Sequence, residues 1–309
     1  MVLTDLYGRP LLNLRIALTK PCNLHCSYCH GEGEDRNMEN SLEMTCEEVV
    51  RIARIAVDLG ISKVKLTGGE PLLRKDILQI VKGIACLPGL EELSMTTNGT
   101  LIAPIATKLR ANGLKRVNIS LPTIDGETYC KLTGGRLEDV LKGVKAAVEA
   151  GLNPVKLNML ILKSVNDYQV PEMINFAKET GAILQLIELE PINISEEYYF
   201  TYHKPLDEYE EMLKQKALKV ENRRFMQNRR IYHLPGVKVE IVHPIENTDF
   251  CQNCTRLRVT SDGKLKPCLM RNDNTVDILT PMRKGAKEEE LTALFKLANQ
   301  RRQPYNIHK

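Results

Sequence analysis

"KPCNLHCSYCH", residues 20–30, sets Cys22, Cys26 and Cys29 within eight positions, directly after "NLRIALT" (13–19), a short apolar run that reads as a buried strand. Five further runs of this kind follow: "SKVKLTGGEP" (62–71), "EELSMTTNG" (91–99), "LKRVNISLP" (114–122), "PVKLNMLIL" (154–162) and "ILQLIELEP" (183–191). Helical patterns lie between them. In "TCEEVVRIARIAVDLG", Thr45 and Glu48 have capping-box spacing, Val49, Ile52, Ala53 and Ala56 share a face, and Gly60 is the stop. "RLEDVLKGVKAAVEAG" repeats the form, with Leu137, Val140, Leu141, Val144 and Val148 expected to face inward before Gly151. Six βα units imply an α/β fold with a parallel sheet and right-handed crossovers, either doubly wound or curled into a partial barrel.

The chain has 309 residues, 43% of them hydrophobic, enough for a large core. Its net charge of +4 is too small to imply a nucleic-acid partner, so any anion site must be local. The first twenty residues carry Asp5 and Arg9 among apolar residues and show no export signal, and no later run has membrane length. A cytoplasmic protein is expected, with its nine cysteines as thiols, metal ligands or catalytic groups and not as disulfides.

After about residue 191 the rhythm stops, dividing the chain into 1–191 and 192–309. In the second part only "VKVEIVHP" looks strongly strand-like, and Lys214, Lys216, Lys219, Arg223, Arg224, Arg229 and Arg230 read as a solvated helix face, with an RNA or polyphosphate surface as the alternative. There "CQNCTRLRVTSDGKLKPC" holds a second trio, Cys251, Cys254 and Cys268. A zinc ribbon would want a fourth ligand, for which His243 and His25 are the candidates. Three thiolates on a [4Fe–4S] cube instead leave one iron open to a small molecule.

CxxxCxxC with Tyr28 before its last cysteine, together with the strand-end "TGGEP" (67–71), resembles the radical S-adenosylmethionine (SAM) superfamily. There the open iron chelates SAM and a 5′-deoxyadenosyl radical is produced; Gly68 and Gly69 are expected to let the backbone approach the methionine, and Glu70 to order the turn. "DLYGRPLLNLRIALTKPCN" and "FCQNCTRLRVTSDGKLKPCL" further resemble the MoaA-type GTP 3′,8-cyclases, which begin molybdenum and tungsten cofactor synthesis. That resemblance implies a partial (β/α)6 TIM-like barrel closed by a smaller C-terminal Fe–S domain, with a [4Fe–4S] cluster at each end of a channel. SAM then sits on the first cluster, and the guanine of GTP lies at the second.

The resemblance assigns Cys22, Cys26 and Cys29 to the first cluster and Cys251, Cys254 and Cys268 to the second. It places Tyr28, Gly69 and Ser120 against SAM, and Arg15, Lys65, Thr96, Lys156, Arg256 and Arg258 against GTP. Alternation along its strand puts Lys65 on the same side as Lys63. Cys46, Cys86 and Cys130 are left as ordinary thiols. The chain departs from the bacterial pattern at Gln185 and Glu190, and ends "RRQPYNIHK" without a glycine-glycine tail, for which Arg301, Arg302 or Tyr305 are the possible surrogates. An electron donor and a downstream cyclic pyranopterin monophosphate synthase are the implied partners, with no membrane and no nucleic acid. Two other classes remain open: a radical SAM enzyme modifying a peptide or small molecule, which would not need the triphosphate cations, and a non-catalytic metal-dependent RNA-binding or regulatory protein.

Overall fold

The computed structural model describes residues 2–34 and 43–306. The six expected strands are present as β1 (Asn13–Ala17), β2 (Lys63–Thr67), β3 (Glu92–Thr97), β4 (Arg116–Ser120), β5 (Val155–Leu160) and β6 (Ile183–Ile187). They lie side by side in chain order, and each pair is parallel.

The parallel arc is nevertheless longer than the six strands expected. The later residues form β7 (Lys219–Arg223), β8 (Arg229–Leu234), β9 (Val237–Val242), β10 (Arg256–Val259), β11 (Lys264–Lys266) and β12 (Val276–Asp277). Of these, β9 joins β6 and β10 joins β1, both in parallel, while β7 and β8, and β11 and β12, add antiparallel margins. Five strands besides "VKVEIVHP" therefore go unread in the later sequence. Their composition explains it: β7 is an exposed edge, and "RLRV" of β10 spends every second position on an arginine. The sheet does not close. Instead β9 and β10 flank its open side, linked by residues 243–255, which carry Cys251 and Cys254.

The strands alternate sharply. Leu14, Ile16, Val64, Leu66, Val117, Ile119, Leu184 and Leu186 face the helices and are almost fully buried, each contributing roughly 1.5–3 kcal/mol of hydrophobic stabilisation. Their neighbours in sequence, including Arg15, Lys65, Asn118, Lys156 and Gln185, point the other way, into the barrel. A parallel sheet usually buries two apolar faces. Here the inner face is polar, so the interior stays an open lumen.

The helix Cys46–Asp58 has the expected capping box: Glu48 N donates to Thr45 Oγ1 at 3.3 Å and Thr45 N to Glu48 Oε2 at 2.8 Å. Its buried face includes Val49, Ile52, Ala53 and Ala56. The helix Leu137–Glu149 departs from expectation. Leu137, Val140 and Val144 are buried, but with Gly143 and Ala147 in place of Leu141 and Val148, and Val148 is 40% exposed. The helix approaches the barrel through Gly143, where a Cβ would come within 2.1 Å of the Gly99 carbonyl oxygen, and this close contact rotates the buried stripe. Gly143→Ala should therefore lower stability by roughly 1–3 kcal/mol in urea unfolding, whereas Gly126→Ala, which meets open space, should cost less than about 0.5 kcal/mol.

Candidate active site

The Cys22 loop leaves the carboxyl end of β1 and is gripped by the turn after β2. Gly69 N donates to Thr19 O at 2.7 Å and Glu70 N to Pro21 O at 2.9 Å. A Cβ at Gly69 would lie 2.1 Å from Lys20 O and 2.2 Å from Pro21 O, and one at Gly68 would lie 2.6 Å from Thr19 O. These glycines are thus required by the cysteine loop's own backbone, a constraint that acts before any ligand is bound, and both also line the cavity described below. Glu70, fully buried, accepts from Leu72 N at 3.0 Å, Thr97 Oγ1 at 2.7 Å and Asn98 N at 2.7 Å, and so orders the turn. Asn98 Nδ2 in turn lies 3.7 Å from Cys22 Sγ, and Leu24 N 3.5 Å from the same sulfur.

The second trio is built at the other end of the strands. Cys254 precedes the amino end of β10, and Cys268 follows β11, which runs antiparallel to β10 and ends beside it. Arg9 Nη1 donates to Cys251 O at 2.8 Å, and Arg302, buried to 1% exposure, donates to Cys254 O and Arg9 O. Of the three terminal residues singled out in the sequence, Arg302 therefore braces this loop, Tyr305 lines the cavity, and Arg301 is exposed and donates to Thr275 O. Asn306 N lies 3.5 Å from Cys251 Sγ.

None of the nine cysteines is joined in a disulfide. Burial, and then Cys29 and Cys22, push the Cys26 thiol up to about 12, because three neighbouring sulfurs cannot all ionise without a cation among them. Three soft donors with amide groups aimed at a sulfur fit an iron–sulfur cluster. Among the described residues no His, Cys, Asp and Glu group converges on a single point, as one zinc ion with sulfur ligands about 2.3 Å away would need. His243, a candidate fourth ligand, instead faces Glu188 at 3.3 Å, and the exposed His25 gives its backbone N–H to Thr133 O.

One open cavity is lined by both trios, and by Tyr28, Gly69, Ser120, Thr96, Arg15, Arg256 and Arg258. A smaller basic recess toward the amino ends of the strands adds Lys65 and Lys156, sharing Arg15 and Arg256 with the cavity. The structure thus brings every site residue expected from the sequence onto one lumen. Gln185 and Glu190 line it as well.

Sequence reading missed what holds these cations. Glu32 pairs with Arg258 and stands 3.8 Å from Arg15, and Thr67 Oγ1 donates to it at 2.7 Å. Burial works to raise the Glu32 carboxyl, but Arg258 and Arg15 outweigh it and hold it down to about 2. Glu240 pairs with Lys156, with Arg223 at 3.1 Å and with Arg229 at 3.4 Å. Burial opposes its ionisation too, yet Arg229, Lys156 and Arg223 keep it well below the usual carboxylate range. Arg116 joins Glu92 at 2.6 Å and shares Asn118 Oδ1 with Lys65, each at 3.1 Å. Alternation within "RVNIS" and "VKVEIV" was the available signal for Arg116 and Glu240.

The basic set from Lys214 to Arg230 is not one helix face. Lys214 and Lys216 end the helix Asp207–Lys216, Lys219 to Arg223 form β7, and Arg223 and Arg229 reach Glu240 inside the barrel. Outside, Lys214 pairs with Glu211 and Arg230 with Glu210.

Residues 16–177 match the radical SAM superfamily, and residues 182–307 match the family described as Molybdenum Cofactor Synthesis C. Among solved structures the chain is similar to anSMEcpe with bound AdoMet (TM-score 0.66, 18% identity, 96% of this chain and 85% of that one) and to Streptococcus suis SuiB bound to S-adenosylmethionine (0.64, 21%, 85% and 61%). Fold and sequence match together place the chain in the radical SAM superfamily, whose chemistry uses SAM and a [4Fe–4S] cluster. Probable GTP 3′,8-cyclases of Pyrococcus horikoshii (49% identical, 98% of each chain) and Methanocaldococcus jannaschii (45%, 97% of this chain and 98% of that one) are full-length relatives. Within the superfamily the chain belongs to the GTP 3′,8-cyclase family. No helix among the described residues is long and apolar enough to cross a membrane.

Burial, with Arg223 and Arg229 nearby, brings Lys156 down to about 8 although Glu240 pulls the other way. The ammonium is charged below that value and neutral above it, so attraction for a polyanion declines as the pH rises through about 8. Calorimetry with inorganic triphosphate between pH 7 and 9 should show this decline, and Lys156→Met should flatten it.

Proposed function

We propose that this chain is a GTP 3′,8-cyclase, converting GTP to 3′,8-cyclo-7,8-dihydro-GTP in the first step of molybdenum or tungsten cofactor biosynthesis. The observation that carries the reading is a single cavity with a cysteine trio toward each end and a cationic recess between the strands. Cys22, Cys26 and Cys29 would hold the SAM-binding [4Fe–4S] cluster, and Cys251, Cys254 and Cys268 a second one beside the guanine. When bound and reduced, the first cluster and SAM supply a 5′-deoxyadenosyl radical able to take the 3′-hydrogen of GTP.

The chain's own task is placement. Tyr28, Gly69 and Ser120 border the SAM end, where the Glu70-ordered turn holds the loop rigid. Arg15, Lys65, Thr96, Lys156, Arg256 and Arg258 receive GTP. Desolvation and surrounding cations depress Lys65 and Arg256 well below their ordinary values, so a tetra-anionic triphosphate relieves repulsion already present in the empty recess. Holding the sugar at a fixed position between the trios in a partly enclosed lumen converts a solution encounter into an oriented one and shields the radical from solvent. A low-potential electron donor and a cyclic pyranopterin monophosphate synthase that consumes the product complete the scheme. No observation favours the RNA-binding alternative, because the basic run is divided between internal and external ion pairs.

Iron-reconstituted protein given dithionite, SAM and 3′-deuterated GTP should transfer deuterium into 5′-deoxyadenosine; normal SAM cleavage without transfer would overturn the reading. Iron analysis and Mössbauer spectra should report two [4Fe–4S] clusters. Single replacements of Arg15, Lys65 or Arg256 by alanine should weaken GTP binding roughly tenfold to a hundredfold, while guanosine binding changes little.

A further inference from the structure

Residues 299–306 reach the second trio at two points. Arg302, 1% exposed, donates through its guanidinium to Cys254 O, to Arg9 O at 3.2 Å and to Asn299 Oδ1 at 3.0 Å. Four residues on, Asn306 N lies 3.5 Å from Cys251 Sγ, and the Asn306 side chain is moored by Nδ2 donating to Pro244 O at 2.8 Å. Cys254 and Cys268 also accept a backbone N–H, but from residues only two positions further along, Arg256 and Met270. The donor to Cys251 comes instead from a distant part of the sequence.

Charge arrives by the same route. Arg302 and Arg9 share one carboxylate, Asp5, at 3.4 and 2.8 Å, so this group of three carries a net positive charge beside the trio. Burial lowers the Arg302 guanidinium, and the charge that most opposes this is that of Cys254, ahead of Asp5. Arg302 is not among the residues lining the cavity, so it has no direct route to a substrate. A [4Fe–4S] core becomes one charge more negative with each electron it accepts. Fixed positive charge nearby and N–H donors at the sulfurs therefore favour the reduced state.

We propose that residues 302–306 raise the reduction potential of the second cluster, Arg302 through its charge and Asn306 through an N–H···S hydrogen bond to Cys251. This rests on the assignment of that cluster to Cys251, Cys254 and Cys268. Asp5 works against Arg302, so the potential reflects the difference between two guanidinium groups and one carboxylate. The electron itself comes from the low-potential donor, and the segment sets what fraction of the second cluster that donor can reduce.

The test is an EPR-monitored redox titration with dithionite on the iron-loaded full chain carrying Cys22→Ala, Cys26→Ala and Cys29→Ala, which leaves the second cluster as the source of the signal. In this background Arg302→Met should make the reduction constant about tenfold smaller, a fall of about 59 mV for a one-electron couple. Asp5→Asn should shift the potential upward. Damage to loop packing would not change sign with the charge removed, so opposite shifts separate electrostatics from a structural defect. Asn306→Pro, which deletes the N–H, should lie below Asn306→Ala, which keeps it, and this pair decides the matter if Arg302→Met loses iron. The proposal is overturned if Arg302→Met retains iron and the parent potential, if Arg302→Met and Asp5→Asn shift it in the same direction, or if the two Asn306 variants have equal potentials. A parent chain whose Mössbauer spectrum shows no [4Fe–4S] cluster removes the two-cluster reading as well, which separates the two failures.

Discussion

A dense set of guanidinium and ammonium groups can stand inside this barrel because three carboxylates, Glu32, Glu92 and Glu240, are placed among them. Buried cations repel one another strongly where water cannot screen them, and an unpaired one would lose its proton or draw in solvent. Each carboxylate ties cations from separate elements: Glu240 joins β5, β7 and the start of β8, while Glu32 joins the cysteine loop to β1 and β10. Breaking either would leave buried charge without compensation, which is more damaging than the net worth of the pair suggests. The neutralisation is also incomplete, so attraction for a polyanion remains.

This charge arrangement depends on strand geometry. Because successive side chains alternate across a strand, leucines and isoleucines on one face cement the sheet to its helices, leaving the other face free to carry charge. The apolar face stabilises the fold, and the polar face is released from that task. The open side of the arc then matters as much as the strands, since residues 243–255 join its two outer parallel strands and carry two of the second trio's thiols.

Rigidity at the two trios comes from different sources. At the first, glycines without Cβ atoms let the turn after β2 interlock with the backbone of the cysteine loop, and Glu70 collects three donors around it. At the second, Arg9 and Arg302 bring residues near both ends of the chain to the carbonyls of Cys251 and Cys254. Backbone contact in one case and charged hydrogen bonds in the other each restrain a loop that local propensity alone would leave mobile.

Local sequence was enough for the six βα units, the capping box at Thr45 and Glu48 and both cysteine trios, because periodicity, capping and ligand spacing are written in consecutive residues. The resemblance carried by those motifs also reached Arg15, Lys65, Thr96, Lys156, Arg256 and Arg258, which the fold gathers on one lumen. Other features were decided only by tertiary structure. β10 is hidden in "RLRV" because its arginines face the lumen, and the helical stripe expected at Leu141 and Val148 turned when Gly143 met Gly99. Glu32 and Glu240 are ordinary polar residues until the chain is folded. Their importance comes from partners supplied by segments far away in sequence: Arg258 for Glu32 and Lys156 for Glu240. Pairing across such distances is set by how strands lie beside one another, which no local pattern encodes.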